Sequence, residues 1–232
     1  MKPVRCVALC KTYHQGESEV RALDHVDVEI DRSEFVCLSS PSGGGKTTLL
    51  NAIGGLDTPD SGEVWIEGER VDRMSKGERA ELRLERIGFV FQAYNLIPVL
   101  SARENVEFVM EVRGIGGAER RERSSAILEE VGLAGLGDRR PAELSGGQQQ
   151  RVAVARAIVT RPALVLADEP TANLDSHAAE QLMELFCELN EVHGSTFVIA
   201  THDRRVMSYS RRQIRLLDGR VVGDGPPDAV AA

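Results

Sequence analysis

Apolar positions in the first third of the chain recur at the short spacing typical of β-strands. Residues 4–9 and 64–71 have short strand-like patterns. Val26, Val28 and Ile30 alternate with polar residues, and Phe35–Ser39 is a compact apolar segment. Alternation and short apolar runs both predict strands. We therefore expect at least four strands here, with residues 64–71 forming a strand and hairpin.

The middle of the chain has helical spacing. A helix is predicted over Lys46–Ile53, directly after a glycine-rich turn. Ser75 with Glu78 and Ser101 with Glu104 form two capping boxes, which open helices that end near Arg86 and Arg113. The strand Ile87–Phe91 lies between them, and residues 101–159 are almost wholly helical in pattern, with Gly132 as a stop signal.

Strand patterns return towards the C-terminus. Residues 163–167 and 196–200 are continuous apolar runs separated by the helical stretch 177–193, which is the pattern of parallel strands joined by a helix. A hairpin turn is predicted at Asp218–Gly219, and the chain from Gly223 onward looks like a frayed tail. Strand–helix alternation at both ends of the chain predicts an α/β core with an inserted helical subdomain.

Composition narrows the classes of protein to consider. The 232 residues carry a formal charge of -8, which argues against a nucleic-acid-binding protein. The N-terminus lacks the apolar stretch of a signal peptide, and no run reaches the roughly 18 to 20 apolar residues that span a bilayer. The four cysteines form no C-x-x-C pair, which fits reduced thiols and a cytoplasmic location. A membrane role would therefore depend on a partner.

The most informative segment lies between the strand at 35–39 and the helix at 46–53. It matches the phosphate-binding P-loop, G-x-x-x-x-G-K-[ST], in the strand–loop–helix context that this motif requires. Backbone N–H groups and the helix N-terminus would bind phosphate oxygens, the lysine would reach the β and γ phosphates, and the first threonine would ligate Mg²⁺. The predicted ATP-binding residues are Ser42, Gly43, Gly44, Gly45, Lys46, Thr47 and Thr48.

One position departs from that motif. Ser40 stands where the pattern has its first glycine. If this position needs a positive φ, the serine costs about 1–2 kcal/mol.

A second cluster of candidate residues follows the apolar run 163–167. Asp168 ends the strand and is predicted to hold Mg²⁺, either directly or through water. Glu169 follows immediately and is placed to orient the attacking water or to accept its proton.

A third segment indicates how the site is completed. Ser145, Gly146, Gly147 and Gln148 follow Leu144 and open a helix. A serine hydroxyl and glycine N–H groups at a helix N-terminus form an anion site in the same way as the P-loop, through hydrogen-bond donors at the positive end of a helix. One triphosphate rarely needs two such sites. We therefore predict that this site binds the γ-phosphate held by a second copy of the chain, in a two-fold dimer with two ATP molecules.

These motifs resemble the nucleotide-binding subunit of ATP-binding cassette (ABC) transporters over residues 13–219. The segment 144–148 is similar to the signature of that family. The resemblance implies a P-loop NTPase core with a mixed, mostly parallel sheet, an antiparallel β subdomain and an inserted helical subdomain. It implies one domain over residues 1–232, with core at about 1–92 and 160–222, helical subdomain at about 93–159, and tail at 223–232.

Further site residues come from the resemblance alone. It implies that Tyr13 stacks on adenine, that Gln92 senses Mg²⁺ and water and touches the membrane subunit, and that Asp175 crosses the dimer interface. It also implies that His202 contacts the γ-phosphate. With Glu169, Lys46 and Gln92, this histidine makes up the predicted catalytic set, and the predicted metal set is Thr47, Gln92 and Asp168.

Phrases around Gly55, Asn95 and Glu104 look like the branch that contains lipoprotein-release and macrolide-export ATPases. The implied partners are a second copy of the chain, a membrane permease on the cytoplasmic face of the membrane, and a periplasmic adaptor reached through that permease. Two alternatives stay open from the sequence. One is a division-linked or signalling ATPase that moves a membrane partner without cargo, and the other is a non-transport ATPase of DNA repair or translation.

Overall fold

The computed structural model describes residues 2–16, 18–41 and 43–230. The first half of the chain contains six strands and two α-helices in the described part. They are β1 (Val4–Gln15), β2 (Ser18–Ile30), β3 (Phe35–Ser39), α1 (Lys46–Ile53), β4 (Ser61–Ile66), β5 (Glu69–Arg70), a 3₁₀ turn at Val71–Arg73, α2 (Lys76–Arg86) and β6 (Ile87–Phe91).

Helices come next, followed by further strand–helix alternation. The elements are α3 (Ala102–Val112), α4 (Gly117–Glu130), a 3₁₀ turn at Pro141–Glu143, α5 (Gly146–Ile158), β7 (Leu164–Asp168), α6 (Ser176–His193), β8 (Thr196–Thr201), α7 (Arg204–Met207), β9 (Arg212–Leu217), β10 (Arg220–Gly225) and α8 (Pro227–Val230).

Two sheets organise the fold and confirm the predicted fold class. The first has the order β2-β1-β4-β5, and its pairs are antiparallel. The second has the order β10-β9-β3-β8-β7-β6, and is parallel from β9 to β6, with β10 as an antiparallel edge. Helices on both faces bury the parallel strands, which explains their continuous apolar runs.

The two faces of the parallel sheet belong to different cores. Val165 and Ala167 of β7 face a core that contains α3, α5 and α6. Leu164 and Leu166, which alternate with them, face a core shared with α1 and the antiparallel sheet. This alternation places α1, and therefore the segment before it, between the two sheets.

The predicted insertion lies between β6 and β7, which pair directly with each other. Its last helix, α5, packs closely on the sheet, since a Cβ at Gly88 would lie 2.2 Å from the carbonyl oxygen of Ala157. Gly132 has φ 74° just after α4, as its predicted stop role requires. The boundaries of the helical subdomain at 93 and 159 stay a prediction.

Several predicted boundaries are wrong in detail. The strands predicted at 4–9 and 26–30 are parts of longer strands, because bulges in β1 disturb the alternation while the pairing continues to the hairpin end. Val71 begins a 3₁₀ turn instead of ending a strand. The helix predicted at 105–113 begins at Ala102, directly after its Ser101 cap.

The predicted frayed tail is also wrong over residues 223–230. Strand β10 continues to Gly225, and Asp224 is ion-paired with Arg212 of β9 at 2.7 Å. Helix α8 follows, and its Val230 is buried over Gly223, which leaves room for it by lacking a side chain. The last residues, 231 and 232, and Met1 lie outside the described part of the chain.

We predict that Val230→Asp lowers the thermal unfolding midpoint, because it removes a buried apolar contact worth about 2 kcal/mol and buries a charge. Val222→Asp is the matched control, since Val222 lies on the preceding strand β10 and is exposed. Thermal denaturation followed by circular dichroism measures both variants. Equal midpoints for the two variants would contradict the packed C-terminus.

Candidate functional site

The carboxyl ends of the parallel strands meet at one edge of the sheet. Register pairs Ser39 of β3 with Thr201 of β8, Ala200 of β8 with Asp168 of β7, and Asp168 with Phe91 of β6. Residues that directly follow these four strands therefore lie side by side, at the edge where open α/β sheets bind ligands. Of the predicted site residues, Gln92, Glu169 and His202 directly follow these strands, and the phosphate loop begins after β3.

The loop between β3 and α1 has the backbone that a phosphate cradle needs. Gly45 caps α1 with φ 101°, and a Cβ there would lie 2.4 Å from the carbonyl oxygen of Ala22. Glycine is therefore required both by conformation and by space. Gly43 also has a positive φ of 81°. The predicted ligand Ser42 lies outside the described residues.

Lys46 is buried at the start of α1. Its ammonium donates to the carbonyl oxygen of Ser40 at 3.0 Å and to Ser40 Oγ at 3.1 Å, and lies 3.9 Å from Glu169 Oε1. Ser40 is not among the described non-glycine residues with a positive φ. The conditional cost of left-handed strain at Ser40 therefore does not apply.

The predicted metal ligands Thr47 and Asp168 are in contact. Thr47 Oγ1 donates to Asp168 Oδ1 at 3.2 Å. Burial raises the pKa of Asp168, and the neighbouring Glu169 adds to this, while the Thr47 hydrogen bond and Lys46 oppose it. A hydroxyl and a carboxylate are hard oxygen donors, and the carboxylate is incompletely compensated, so the pair fits a small divalent cation such as Mg²⁺.

Glu169 and His202 form a second contact at the same edge. Glu169 has φ 46° and its N–H donates to the carbonyl oxygen of Ala200, which fixes the turn after β7. His202 Nδ1 lies 2.8 Å from Glu169 Oε1. A carboxylate only accepts hydrogen bonds when it is ionised, and the contact then requires a proton on Nδ1. The His202 side chain is otherwise largely exposed, at 65%.

Tyr13 lies on β1, and its hydroxyl is engaged. It donates to Asp57 Oδ2 at 2.7 Å, and Lys11 lies 5.3 Å from the ring centroid. Burial, followed by the Asp57 hydrogen bond, raises the pKa of Tyr13. Burial alone would raise the pKa of Asp57, but the hydrogen bonds from Tyr13 and Lys11 lower it overall. Asp57 therefore orients the predicted adenine platform.

Gln92 directly follows β6 and is exposed. Asn173 Nδ2 donates to its backbone carbonyl at 2.9 Å. The next residues are held by Arg156, which donates to the carbonyl oxygens of Tyr94 and Asn95 at 2.9 and 2.6 Å. Burial lowers the pKa of Arg156. This loop is therefore tied both to α5 and to the segment before α6.

The segment 145–148 starts α5 at a different place. Ser145 caps the helix through a capping box: its Oγ accepts from Gln148 N at 3.3 Å, and its N–H donates to Gln148 Oε1 at 2.9 Å. Asp175 caps α6 by accepting from Ala178 N at 2.9 Å. The two helix starts border one groove of about 450 Å³.

This groove is separate from the phosphate loop. Its lining includes Ser145, Gly146, Gly147, Gln148 and Asp175, whereas the described loop residues 40, 41 and 43–47 do not contribute. The predicted site residues thus fall into two groups on the described chain. Lys46, Thr47, Asp168, Glu169 and His202 are brought together, and the segment at 145–148 is not joined to them.

Several residues that position these groups were not among the predicted site residues. Gln150 is fully buried and donates to the carbonyl oxygen of Pro170 at 2.7 Å, which links α5 to the turn after Glu169. Asn173, Arg156 and Asp57 act similarly through the contacts described above. Only Asn173 had a local signal, since it precedes the predicted interface residue Asp175 by two positions.

Comparisons with known proteins identify the family of this chain. The family model described as ABC transporter matches residues 23–172. The chain belongs to the ABC transporter family. It is therefore an ATP-binding ATPase, the nucleotide-binding component of a transporter.

Individual relatives are similar over nearly the whole chain. An uncharacterized ABC transporter ATP-binding protein of Thermotoga maritima is 47% identical over 225 residues, which is 96% of this chain and 94% of that protein. The macrolide export ATP-binding/permease protein MacB of Brucella melitensis is 43% identical over 221 residues. That match covers 95% of this chain but only 34% of MacB, so the chain spans about a third of the exporter's length.

Solved structures give the same result. The ATP-binding cassette MJ0796, in a dimeric post-hydrolysis state bound to ADP and Pi, superposes with a TM-score of 0.89 at 43% identity. The match covers 96% of this chain and 98% of that one. CbiO1 of Clostridium perfringens, part of the ABC transporter complex cbiONQ, has a TM-score of 0.89 at 30% identity, covering 99% of this chain and 90% of CbiO1.

The raised pKa of Asp168 has a consequence for stability without nucleotide. A carboxyl with a raised pKa in the folded state favours its protonated form there, so its charge destabilises the fold above that pKa and the penalty disappears as pH falls. We predict that Asp168→Asn raises the thermal midpoint of the nucleotide-free chain by a few degrees near pH 7. The gain should shrink towards about pH 4, near the ordinary pKa of aspartate.

Asp203→Asn is the control of opposite sign. The Arg205 hydrogen bond lowers the pKa of Asp203, so this carboxylate stabilises the fold above its pKa, and its loss should lower the midpoint near pH 7. Differential scanning calorimetry across this pH range measures both variants. An Asp168→Asn midpoint below that of the wild type at pH 7 would be inconsistent with an uncompensated carboxylate.

Proposed function

We propose that two copies of the chain close on two MgATP molecules and that this closure powers a separate membrane permease of the export or lipoprotein-release type. The proposal rests on one observation: the phosphate loop at Lys46 and the helix start at Ser145 are separate on one chain. The cluster around Lys46 holds a hydrolytic carboxylate and histidine, but the capped helix start at Ser145 borders a groove to which the described phosphate loop does not contribute. A second copy would supply the missing half.

The dimeric MJ0796 cassette, with ADP and Pi bound, supports this arrangement for a chain of similar sequence and fold. In the proposed dimer, Gly43, Gly44, Gly45, Lys46, Thr47 and Thr48 of one copy surround the phosphates, and Tyr13 faces the base. Ser145, Gly146, Gly147 and Gln148 of the other copy cap the γ-phosphate, with Asp175 at the interface. Backbone N–H groups at a helix start favour anions through both hydrogen bonding and the helix dipole.

Thr47 and Asp168 would hold Mg²⁺, with Gln92 nearby on the adjoining strand end. The cation would neutralise charge on the phosphate oxygens. Lys46 adds a second positive charge in a nearly water-free position, where its effect on a developing oxyanion is larger than in solvent.

Glu169 is the proposed general base. Its turn is fixed by the Ala200 carbonyl and its carboxylate is oriented by His202. The exposed ring of His202 leaves Nε2 free to approach the γ-phosphate. Most of the catalytic effect would come from positioning and charge neutralisation, which are complete only when both copies are present.

A docking surface for the permease is proposed next to the Gln92 loop. An apolar groove there is lined by Leu56, Leu84, Phe89, Phe91, Ile97 and Phe108, among others. Val99, two residues after the lining residue Ile97, is 72% exposed, whereas Leu96 packs against the helical core. The described helices are all too short or too polar to cross a bilayer. We propose that the groove receives a cytoplasmic segment of the permease, which places the chain on the cytoplasmic face of the membrane.

The sequence identity of 43% with MacB favours export as the process that this chain powers, because MacB is named for macrolide export and carries its permease in the same protein. A periplasmic adaptor would then be reached through the permease. The net charge of -8 argues against nucleic acid as a partner.

We predict that Ser145→Arg lowers ATP turnover by roughly 10²–10³-fold, because it blocks a preorganised donor site for the γ-phosphate. Binding of a fluorescent ATP analogue to the monomer should change little, since the P-loop is on the other half-site. Steady-state phosphate release and equilibrium fluorescence titration measure the two quantities.

Ser75→Arg is the matched control, because Ser75 caps α2 with the same type of capping box but is not among the residues lining the Ser145 groove. Its turnover should stay near the wild-type value. Equal losses in the two variants would mean that helix capping, and not phosphate contact, explains the effect, and would contradict the shared site.

We predict that Val99→Asp abolishes co-purification with the permease from native membranes while the ATPase activity of the isolated chain is unchanged. Val192→Asp is the control, since Val192 is also 72% exposed but lies on α6. Retained permease in the Val99 variant, or equal loss in both, would contradict docking beside the Gln92 loop.

A further inference from the structure

The phosphate loop of this chain departs from its motif at one position and has glycine at a second position that the motif leaves free. The motif has glycine at its first position and leaves the position before the second glycine free. Here the first position is Ser40, and the free position is Gly44. Both residues are buried, at 7% exposure for Ser40.

The hydroxyl of Ser40 makes two directed hydrogen bonds. It donates to the carbonyl oxygen of Pro41 at 2.7 Å, and therefore faces Lys46 with its lone pairs. Lys46 Nζ donates to it at 3.1 Å and to the Ser40 carbonyl at 3.0 Å. The ammonium thus has two acceptors from one residue, which fixes its direction and leaves its third N–H for another partner.

Gly44 faces the same hydroxyl. Its N–H donates to the Pro41 carbonyl at 3.1 Å, the atom that also accepts from Ser40. A Cβ at Gly44 would lie 2.6 Å from Ser40 Oγ and 2.8 Å from Ser40 Cβ, distances that real Cβ atoms do not show. Its φ lies outside the left-handed range, so glycine is needed here for space and not for conformation.

We infer that Ser40 and Gly44 are a size-matched pair in which the Ser40 hydroxyl closes the Pro41 turn and positions the Lys46 ammonium for the triphosphate. Ser40 is a positioning residue that acts through Lys46. The inference rests on the proposed nucleotide site for its functional effect, but the pairing itself is a property of the nucleotide-free chain.

A double-mutant cycle tests the size match. The variants are Ser40→Gly, Gly44→Ala and the double variant, and the readout is the Kd for a fluorescent ATP analogue with Mg²⁺. Gly44→Ala alone should weaken binding at least about tenfold. In the Ser40→Gly background the same change should cost less than about threefold, because the obstructing side chain is absent. Gly116→Ala is the control, since a Cβ there enters open space, and it should leave Kd unchanged.

The same cycle is measured by thermal unfolding without nucleotide. Gly44→Ala should lower the midpoint only when Ser40 is present. A wild-type chain that does not bind the analogue would contradict the proposed function, while the unfolding cycle would still decide the pairing. Equal effects of Gly44→Ala in both backgrounds, in binding and in unfolding, would overturn the inference.

The positioning of Lys46 has its own readout. The chain has only four lysines, so Cε-labelled lysine gives a simple NMR spectrum in which Lys46 is assigned through Lys46→Arg. Ser40→Ala, which keeps Cβ but removes the hydroxyl, should shift the Lys46 signal, leave the signals of Lys2, Lys11 and Lys76 in place, and weaken analogue binding about threefold to tenfold. An unmoved Lys46 signal would show that the hydroxyl does not orient the ammonium.

Discussion

The in-register parallel pairing of β3, β8, β7 and β6 is the constraint on which the site depends. It sets Ser39, Thr201 and Asp168 at one edge, although they are far apart in the chain. Lys46 and Thr47 then reach Glu169 and Asp168 from the start of α1. A shift of one residue in any of these strands would exchange the two buried faces of the sheet and turn the following side chains away. The burial of both faces therefore keeps these strands in register and holds the residues of the candidate site at one edge.

The same edge holds charge that the chain alone does not fully compensate. Asp168 is partly buried and has a raised pKa. Lys46 lies between Ser40 and Glu169 and is almost fully shielded from solvent. Such an arrangement is unfavourable in isolation. With the MgATP of the proposed function it would become favourable, because the cation and the polyanion would find their partners already oriented. Stability and nucleotide binding are thus opposed at these residues.

The helix start at Ser145 illustrates how one local motif can have two uses. Its capping box resembles those at Ser75 and Ser101, which begin ordinary helices of the fold. Only at Ser145 do two glycines follow and a second capped helix, at Asp175, border the same groove. The loop contacts from Asn173 and Arg156 connect this region with Gln92.

Sequence alone determined the features whose hydrogen bonds span a few residues. The strand–loop–helix around Lys46, the capping boxes and the turn at Asp218–Gly219 are of this kind, because their chemistry is complete within one short segment. The tertiary structure decided contacts between distant segments, such as His202 with Glu169, Tyr13 with Asp57, Gln150 with Pro170 and the packing of Val230 on Gly223. It also decided that Ser40 is unstrained and paired with Gly44. These contacts depend on strand register and on the space left by other side chains, and neither quantity is expressed in the local order of residues.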